Sequence, residues 1–214
     1  MASTVTGAHI CIIDRPKDSF SEVIQRIQQR IVNIGGSFSS KWDLAINQYK
    51  LKGKATQLRS EKDSPSDITT IVKASHIPDN VLISSHLNSI IVNSAILSLY
   101  HPSLGIFTSS YSMAVVGEEY RLQDMFVRYG TIFINNRDQK CLVMDIEYLP
   151  SCDPSVFRLL SQIRSVIYPE GKQITTVYNE QIQKSNFALQ PFNYAELSRL
   201  YAGVVPSFVS LFDV

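Results

Sequence analysis

The chain has 214 residues, 44% hydrophobic and 18% charged, which suffices for one domain with a sizeable core. With 20 Lys plus Arg against 19 Asp plus Glu the formal net charge is +1, a balance that supplies no field for drawing the chain onto DNA or RNA. The three cysteines, Cys11, Cys141 and Cys152, form neither an even set nor a CxxC pair, no stretch reaches the roughly 20 apolar residues of a membrane helix, and the opening MASTVTGAHICIIDRPKD lacks the basic start and long apolar region of a signal peptide. A disulfide framework, a zinc site, a membrane span and secretion are therefore all disfavoured, and a reducing compartment, cytoplasm or nucleus, is expected.

The short apolar run His9 to Ile13, stopped by Asp14-Arg15-Pro16, predicts a buried strand. An amphipathic helix follows. Ser19 and Glu22 have capping-box spacing, Phe20, Val23, Ile24, Ile27, Ile31 and Ile34 recur on one face, and Gly35-Gly36 supplies the stop. From Trp42 to Leu51 apolar and polar residues alternate as in a half-exposed strand. Residues 52–66, rich in Lys, Ser, Gly and Pro and without periodicity, read as a mobile surface loop.

Ile68 to Ala74 and Asn80 to Ser84 predict two further strands around the Pro78-Asp79 turn. Ser85 to Tyr100 places Leu87, Ile90, Ile91 and Ala95 near one face and favours a helix, although its Ile and Val content also suits strands. Leu104 to Val116 and Leu122 to Ile134 read as long strands, Asn135 to Lys140 as the loop that returns the chain, and Cys141 to Tyr148 as an antiparallel strand. In that last strand Leu142, Met144, Ile146 and Tyr148 share one face, and Asp145 and Glu147 lie on the other, expected to meet water. Asp153 and Pro154 open a second helix carrying Val156, Leu159, Leu160, Ile163 and Ile167, with Pro169 as its stop. A strand at Ile174 to Tyr178, a short helix at Phe192 to Tyr201 and the apolar ending GVVPSFVSLFDV complete a single α+β domain.

Little in this pattern points to catalysis. Asp145 and Glu147 have the spacing of an acid and base pair, but a wet sheet face produces the same pattern far more often. His9, His76, His86 and His101 show no metal-ligand spacing, and Cys152, beside a helix start, has no evident histidine partner and reads as a small packed residue. GxSxG, phosphate-loop and dinucleotide signatures are absent, so enzymes built on them are excluded and no cofactor or metal is expected. The tail residues Val204, Val205, Phe208, Val209, Leu211 and Phe212 either finish the core or dock on a partner.

Three segments carry a family resemblance: HICIIDRPKDSFSEVIQRIQQRIVNIGG, VLISSHLNSIIVNSAIL and, most specifically, YRLQDMFVRYGTIFINNRDQKCLVMDIEYLPSCD. Together they resemble the Mediator complex subunit 20 family, a component of the head module of the RNA polymerase II coactivator. The second segment is similar to a strand-then-helix unit of that family, in keeping with a helix over Ser85 to Leu97. The resemblance implies an antiparallel β-barrel-like sheet with packed helices in one domain over residues 1–214. It further implies a direct heterodimer with Mediator subunit 18, a link through it to subunit 8 and other head subunits, indirect contact with the polymerase machinery, a nuclear location and no catalysis. The 52–66 loop and the tail after Gly203 match the family poorly.

Candidate partner-binding residues are Phe208, Leu211 and Phe212 in the tail. If the tail closes the core instead, Arg128 and Tyr129 on an exposed sheet face take their place. Two alternatives remain at this level: an enzyme using Asp145 and Glu147, or Cys152, in a sheet-mouth cleft, and a small-molecule-binding barrel.

Overall fold

The computed structural model describes residues 7–13, 19–52, 68–84, 89–135, 137–148 and 155–169. The elements are β1 (Gly7–Ile13), α1 (Phe20–Asn33), β2 (Ser37–Leu51), β3 (Ile68–Ala74), β4 (Asn80–Ser84), β5 (Ser89–Asn93), β6 (Phe107–Leu122), β7 (Met125–Ile134), β8 (Arg137–Tyr148) and α2 (Ser155–Ile167), with 3₁₀ turns at Ser94–Tyr100 and Pro102–Leu104. The strands lie in the order β1-β8-β7-β6-β2-β3-β4-β5. The registers of β1 with β8, β2 with β3, β3 with β4 and β4 with β5 are all antiparallel.

This is the α+β class with an antiparallel sheet and packed helices. The barrel-like closure is not seen: among the described residues β1 and β5 stand at opposite ends of the order, each with one paired neighbour. No described helix is long and apolar enough to cross a membrane.

The chain divides into two compact units, and β2 and β6 contribute residues to both. The first contains the described residues of 1–43, 115–133 and 138–193. Its core forms because α1 is amphipathic: Val23, Ile27 and Ile31 are buried against Tyr120, Leu122, Val127, Tyr129, Leu142, Met144 and Ile146, with Leu160 and Ile167 of α2 in the same cluster. The ends of α1 are fixed locally. Ser19 accepts a hydrogen bond from the Glu22 amide, and Gly35 takes φ 94° while the Gly35 amide donates to the Val32 carbonyl and the Gly36 amide to the Ile31 carbonyl. That double bond is a Schellman stop, which only a residue tolerant of positive φ allows.

The second unit contains the described residues of 44–114 and 134–137. Ile71, Val81 and Ile83 form a small buried cluster against which Tyr49, Val92, Ile96, Leu97 and Tyr100 pack. The Tyr100 ring stacks on Phe107 at 4.5 Å and tilts against Tyr49 at 5.0 Å.

Three departures from the sequence expectation have physical reasons. The helix expected over Ser85 to Tyr100 is instead strand β5 followed by a 3₁₀ turn; residues 85–88 lie outside the described set. Ile90, Ile91 and Val92 are three consecutive β-branched residues that lose rotamer freedom in a helix, and Asn93 then ends the strand by accepting a hydrogen bond from the Ala95 amide. β6 continues past Val116 to Leu122, because Gly117 lets neighbouring backbone approach. The expected Asn135 to Lys140 loop contracts, since Asn135 adopts φ 47° and β8 begins at Arg137. Most of the 52–66 loop, the Asp153-Pro154 helix start, Cys152, and the elements expected after Pro169 fall outside the described residues.

Candidate functional site

Alternation along β6 sends its two adjacent carboxylates, Glu118 and Glu119, to opposite faces of the sheet, and each organises a cluster in the first unit. On the helix side Glu118 is held by three donors. The Tyr129 hydroxyl donates to Oε2 at 2.6 Å, the Tyr120 hydroxyl at 2.9 Å and the Gln28 amide nitrogen of α1 at 2.9 Å. Burial alone would raise this carboxyl, but those bonds and the charge of Lys41 outweigh it and hold the group below its usual range. The same arrangement pushes both phenols up, by burial first and then by the bond to Glu118.

Tyr129→Phe removes the shortest of the three bonds and is expected to cost about 1–2 kcal/mol at neutral pH. Because Glu118 is depressed when folded, its contribution is present above the ordinary carboxyl pKa and lost as pH falls through the folded value. Urea unfolding should therefore show a smaller penalty for Tyr129→Phe at pH 3 than at pH 7.

On the other face Glu119 of β6 meets Arg128 of β7 and Asp145 and Glu147 of β8. The Arg128 Nε lies 2.6 Å from Glu119 Oε2, while its Nη1 lies 3.2 Å from Asp145 Oδ2 and 2.8 Å from Glu147 Oε2. Ser39 and Ser40 of β2 donate to the second Glu119 oxygen at 3.0 and 3.3 Å, and the guanidinium carbon sits 5.3 Å from the Phe126 ring centroid. All four charged side chains are buried, Asp145 at 0%, and Arg128 and Glu147 at 2% exposure.

The expectation that Asp145 and Glu147 meet water is thus corrected. A single guanidinium spans three carboxylates, all of them buried. Burial, opposed by Arg128 and reinforced by Asp145 and Glu119, pushes the Glu147 carboxyl up to about 7.

A carboxyl raised on folding stabilises the fold fully below its ordinary pKa, and that stabilisation is lost as pH rises through the folded value, here between about 4.5 and about 7. Glu147→Gln removes this titration. Relative to the wild type it is expected to gain on the order of 2 kcal/mol between pH 5 and pH 8. Urea unfolding at pH 5, 6, 7 and 8 measures that difference.

Of the sequence-predicted site residues, Arg128 and Tyr129 do not lie on an exposed sheet face. Both are 2% exposed, the first in the ionic cluster and the second in the helix-side core. Phe208, Leu211 and Phe212 lie outside the described residues. Sequence reasoning missed Glu119 and Arg128 as partners of the acidic pair. The available signal was the doublet Glu118-Glu119, whose carboxylates any strand continuing past Val116 sends one to each face. Among the described residues no group of three His, Cys, Asp or Glu is placed to hold a metal ion, and Cys141 is buried.

Comparison with known proteins gives a family but no curated relative: a search of curated proteins finds no match. Solved structures to which the chain is similar include the Schizosaccharomyces pombe Mediator head module (10% identity over 78% of this chain and 96% of that chain, TM-score 0.45). Two Pyrococcus horikoshii OT3 proteins are comparable: PH1819 (11%, 83% and 98%, TM-score 0.44) and PH1012 (12%, 75% and 90%, TM-score 0.43). At these identities and scores the likenesses carry no argument. The family model described as "TATA-binding related factor (TRF) of subunit 20 of Mediator complex" matches residues 4–190. That span covers most of the chain and all three segments on which the sequence resemblance rests, so the chain belongs to the Mediator subunit 20 family.

Proposed function

We propose that this chain is a non-catalytic subunit of the Mediator head module, acting in the nucleus as one domain that pairs with Mediator subunit 18. Through subunit 18 it joins subunit 8 and the remaining head subunits and supports initiation by RNA polymerase II. The observation that carries this proposal is the family match over residues 4–190. The chemistry of the buried cluster is in keeping with it. Asp145 and Glu147, the best candidates for an acid and base pair, are spanned by Arg128 and shielded from solvent, whereas a hydrolytic pair must face a cleft that admits substrate.

A tagged copy of the chain recovered from nuclear extract under stringent salt tests the assignment. Mass spectrometry should identify Mediator head subunits, with subunit 18 the most resistant to washing. Recovery of the chain free of every head subunit would reject the proposal and return attention to enzyme and ligand-binding functions.

A further inference from the structure

The end strand β5 has the features of an edge built to be continued. It pairs with β4 through Asn80↔Asn93, Val81↔Val92, Leu82↔Ile91, Ile83↔Ile90 and Ser84↔Ser89, and among the described residues it has no strand on its other side. Val92 packs on the Ile71, Val81 and Ile83 cluster, so Ile90, two residues away, extends the same face, yet it is 51% exposed. Ile91 points to the opposite face beside buried Leu82 and is 42% exposed. Apolar side chains therefore stand uncovered on both faces of the same edge.

Natural sheets usually blunt such an edge with a Lys, a Pro, an inward-pointing charge or a bulge. None is present in SIIVN, and the whole stretch from Asn80 to Gly117 contains no Asp, Glu, Lys or Arg. An edge without charge offers nothing to pair with a charged segment and would leave such a segment's charges desolvated. It complements an uncharged apolar strand. That strand would continue the main-chain ladder along about 17 Å of β5 and cover Ile90 on one face and Ile91 on the other.

We infer that β5 is a strand-addition site whose occupant is an extended, uncharged apolar segment of Mediator subunit 18. The occupant is assigned to another subunit because the chain belongs to a family of complex subunits. This inference rests on the Mediator function proposed above and places the interface on Ser89–Asn93 rather than on the tail or the Arg128 face.

The test uses the full chain with purified Mediator subunit 18 as the probe. Hydrogen exchange is followed at the outward amides of 89–93, those that do not donate to β4, and affinity is measured for the wild type, for the double variant Ile90→Lys with Ile91→Lys, and for the control Phe38→Lys at a site 57% exposed in the other unit. Complex formation should protect these outward amides. The double variant should bind about 100-fold more weakly at unchanged melting temperature, and the control should stay within about twofold.

Tight binding with no added protection at 89–93 overturns the inference and leaves the proposed function standing. Failure of the wild-type chain to bind subunit 18 overturns that function itself. Outward amides of 89–93 already protected in the isolated chain, and released by deleting residues 194–214, would show the tail to be the occupant. Concentration-dependent protection in the isolated chain would show a second copy to be the occupant. Either result overturns the inference.

Discussion

Arg128→Met is expected to lose about 3–5 kcal/mol of folding stability at pH 7, the usual cost of deleting one side of a buried ion cluster. The size follows from what is left behind. Without the guanidinium, Glu119, Asp145 and Glu147 would remain together in a buried site that has lost the cation supplied by β7. The fold would answer by taking up protons. Carboxyls raised on folding stabilise the protein below their ordinary pKa and cease to do so as pH rises through their folded values.

The penalty for Arg128→Met should therefore shrink toward pH 5 and grow toward pH 8. Trp42, the chain's single tryptophan and fully buried in the same unit, reports unfolding by fluorescence. Arg128→Lys should recover only part of the loss, because an ammonium cannot reproduce the Nε and Nη1 contacts to separate carboxylates. A penalty below about 1 kcal/mol for Arg128→Met would mean that the carboxylates are not held as described.

Gly117→Ala should cost more than about 3 kcal/mol, or prevent recovery of folded protein, although it adds one methyl group. A β-carbon at Gly117 would collide with the Tyr129 carbonyl oxygen and lie 2.5 Å from the Gly130 α-carbon. Those are backbone atoms of β7, which no rotamer change can move. Gly130 has the reciprocal requirement, since its added β-carbon would sit 2.6 Å from Val115 Cγ1 and 2.9 Å from the Val116 carbonyl oxygen.

The close approach lies beside both clusters of the first unit, because Glu118 and Glu119 follow Gly117 directly and Arg128 and Tyr129 precede Gly130. A strand forced apart at this point would loosen the Tyr129 to Glu118 bond and the Arg128 to Glu119 bond together. Gly105→Ala is the matching control. Gly105 has φ 64° with open space around it, so the change should cost only about 1 kcal/mol of backbone strain. Melting temperatures of the two variants would separate steric collision from strain, and equal penalties would contradict the close-approach explanation.

Helix α1 was legible in the sequence because its signals are local: a cap at Ser19, an apolar stripe and a Gly35-Gly36 stop all lie within one stretch of chain. The strand pattern of β3 and β4, of β2 from Trp42 and of β8 from Cys141 was legible for the same reason, whereas the start of β2, which carries the Ser39 and Ser40 donors to Glu119, was not. β5 was not, since a 16-residue stretch with apolar residues at several spacings satisfies a helical and an extended pattern together, and the choice fell to β-branching and to pairing with β4.

The polarity of β8 was misleading in another way. Asp145 and Glu147 alternate with apolar residues as a solvated face would, and the neighbouring strand, which brings Arg128 between them, helps to make their burial tolerable. Tyr129 was misread similarly. Its placement on the helix side is settled by α1 covering that face and by Glu118 waiting for its hydroxyl, neither of which its own strand reveals. The edge of β5 is a property of strand order, and local sequence carries none of that order.

Reconstitution from purified components addresses the Mediator assignment without relying on an extract. The chain and Mediator subunit 18, mixed at micromolar concentration and passed over a size-exclusion column with light-scattering detection, should elute as one 1:1 species that survives high salt, as expected for an interface held by apolar packing. Two separate monomer peaks under these conditions would contradict a direct pairing with subunit 18 and leave membership of the subunit 20 family without its proposed partner.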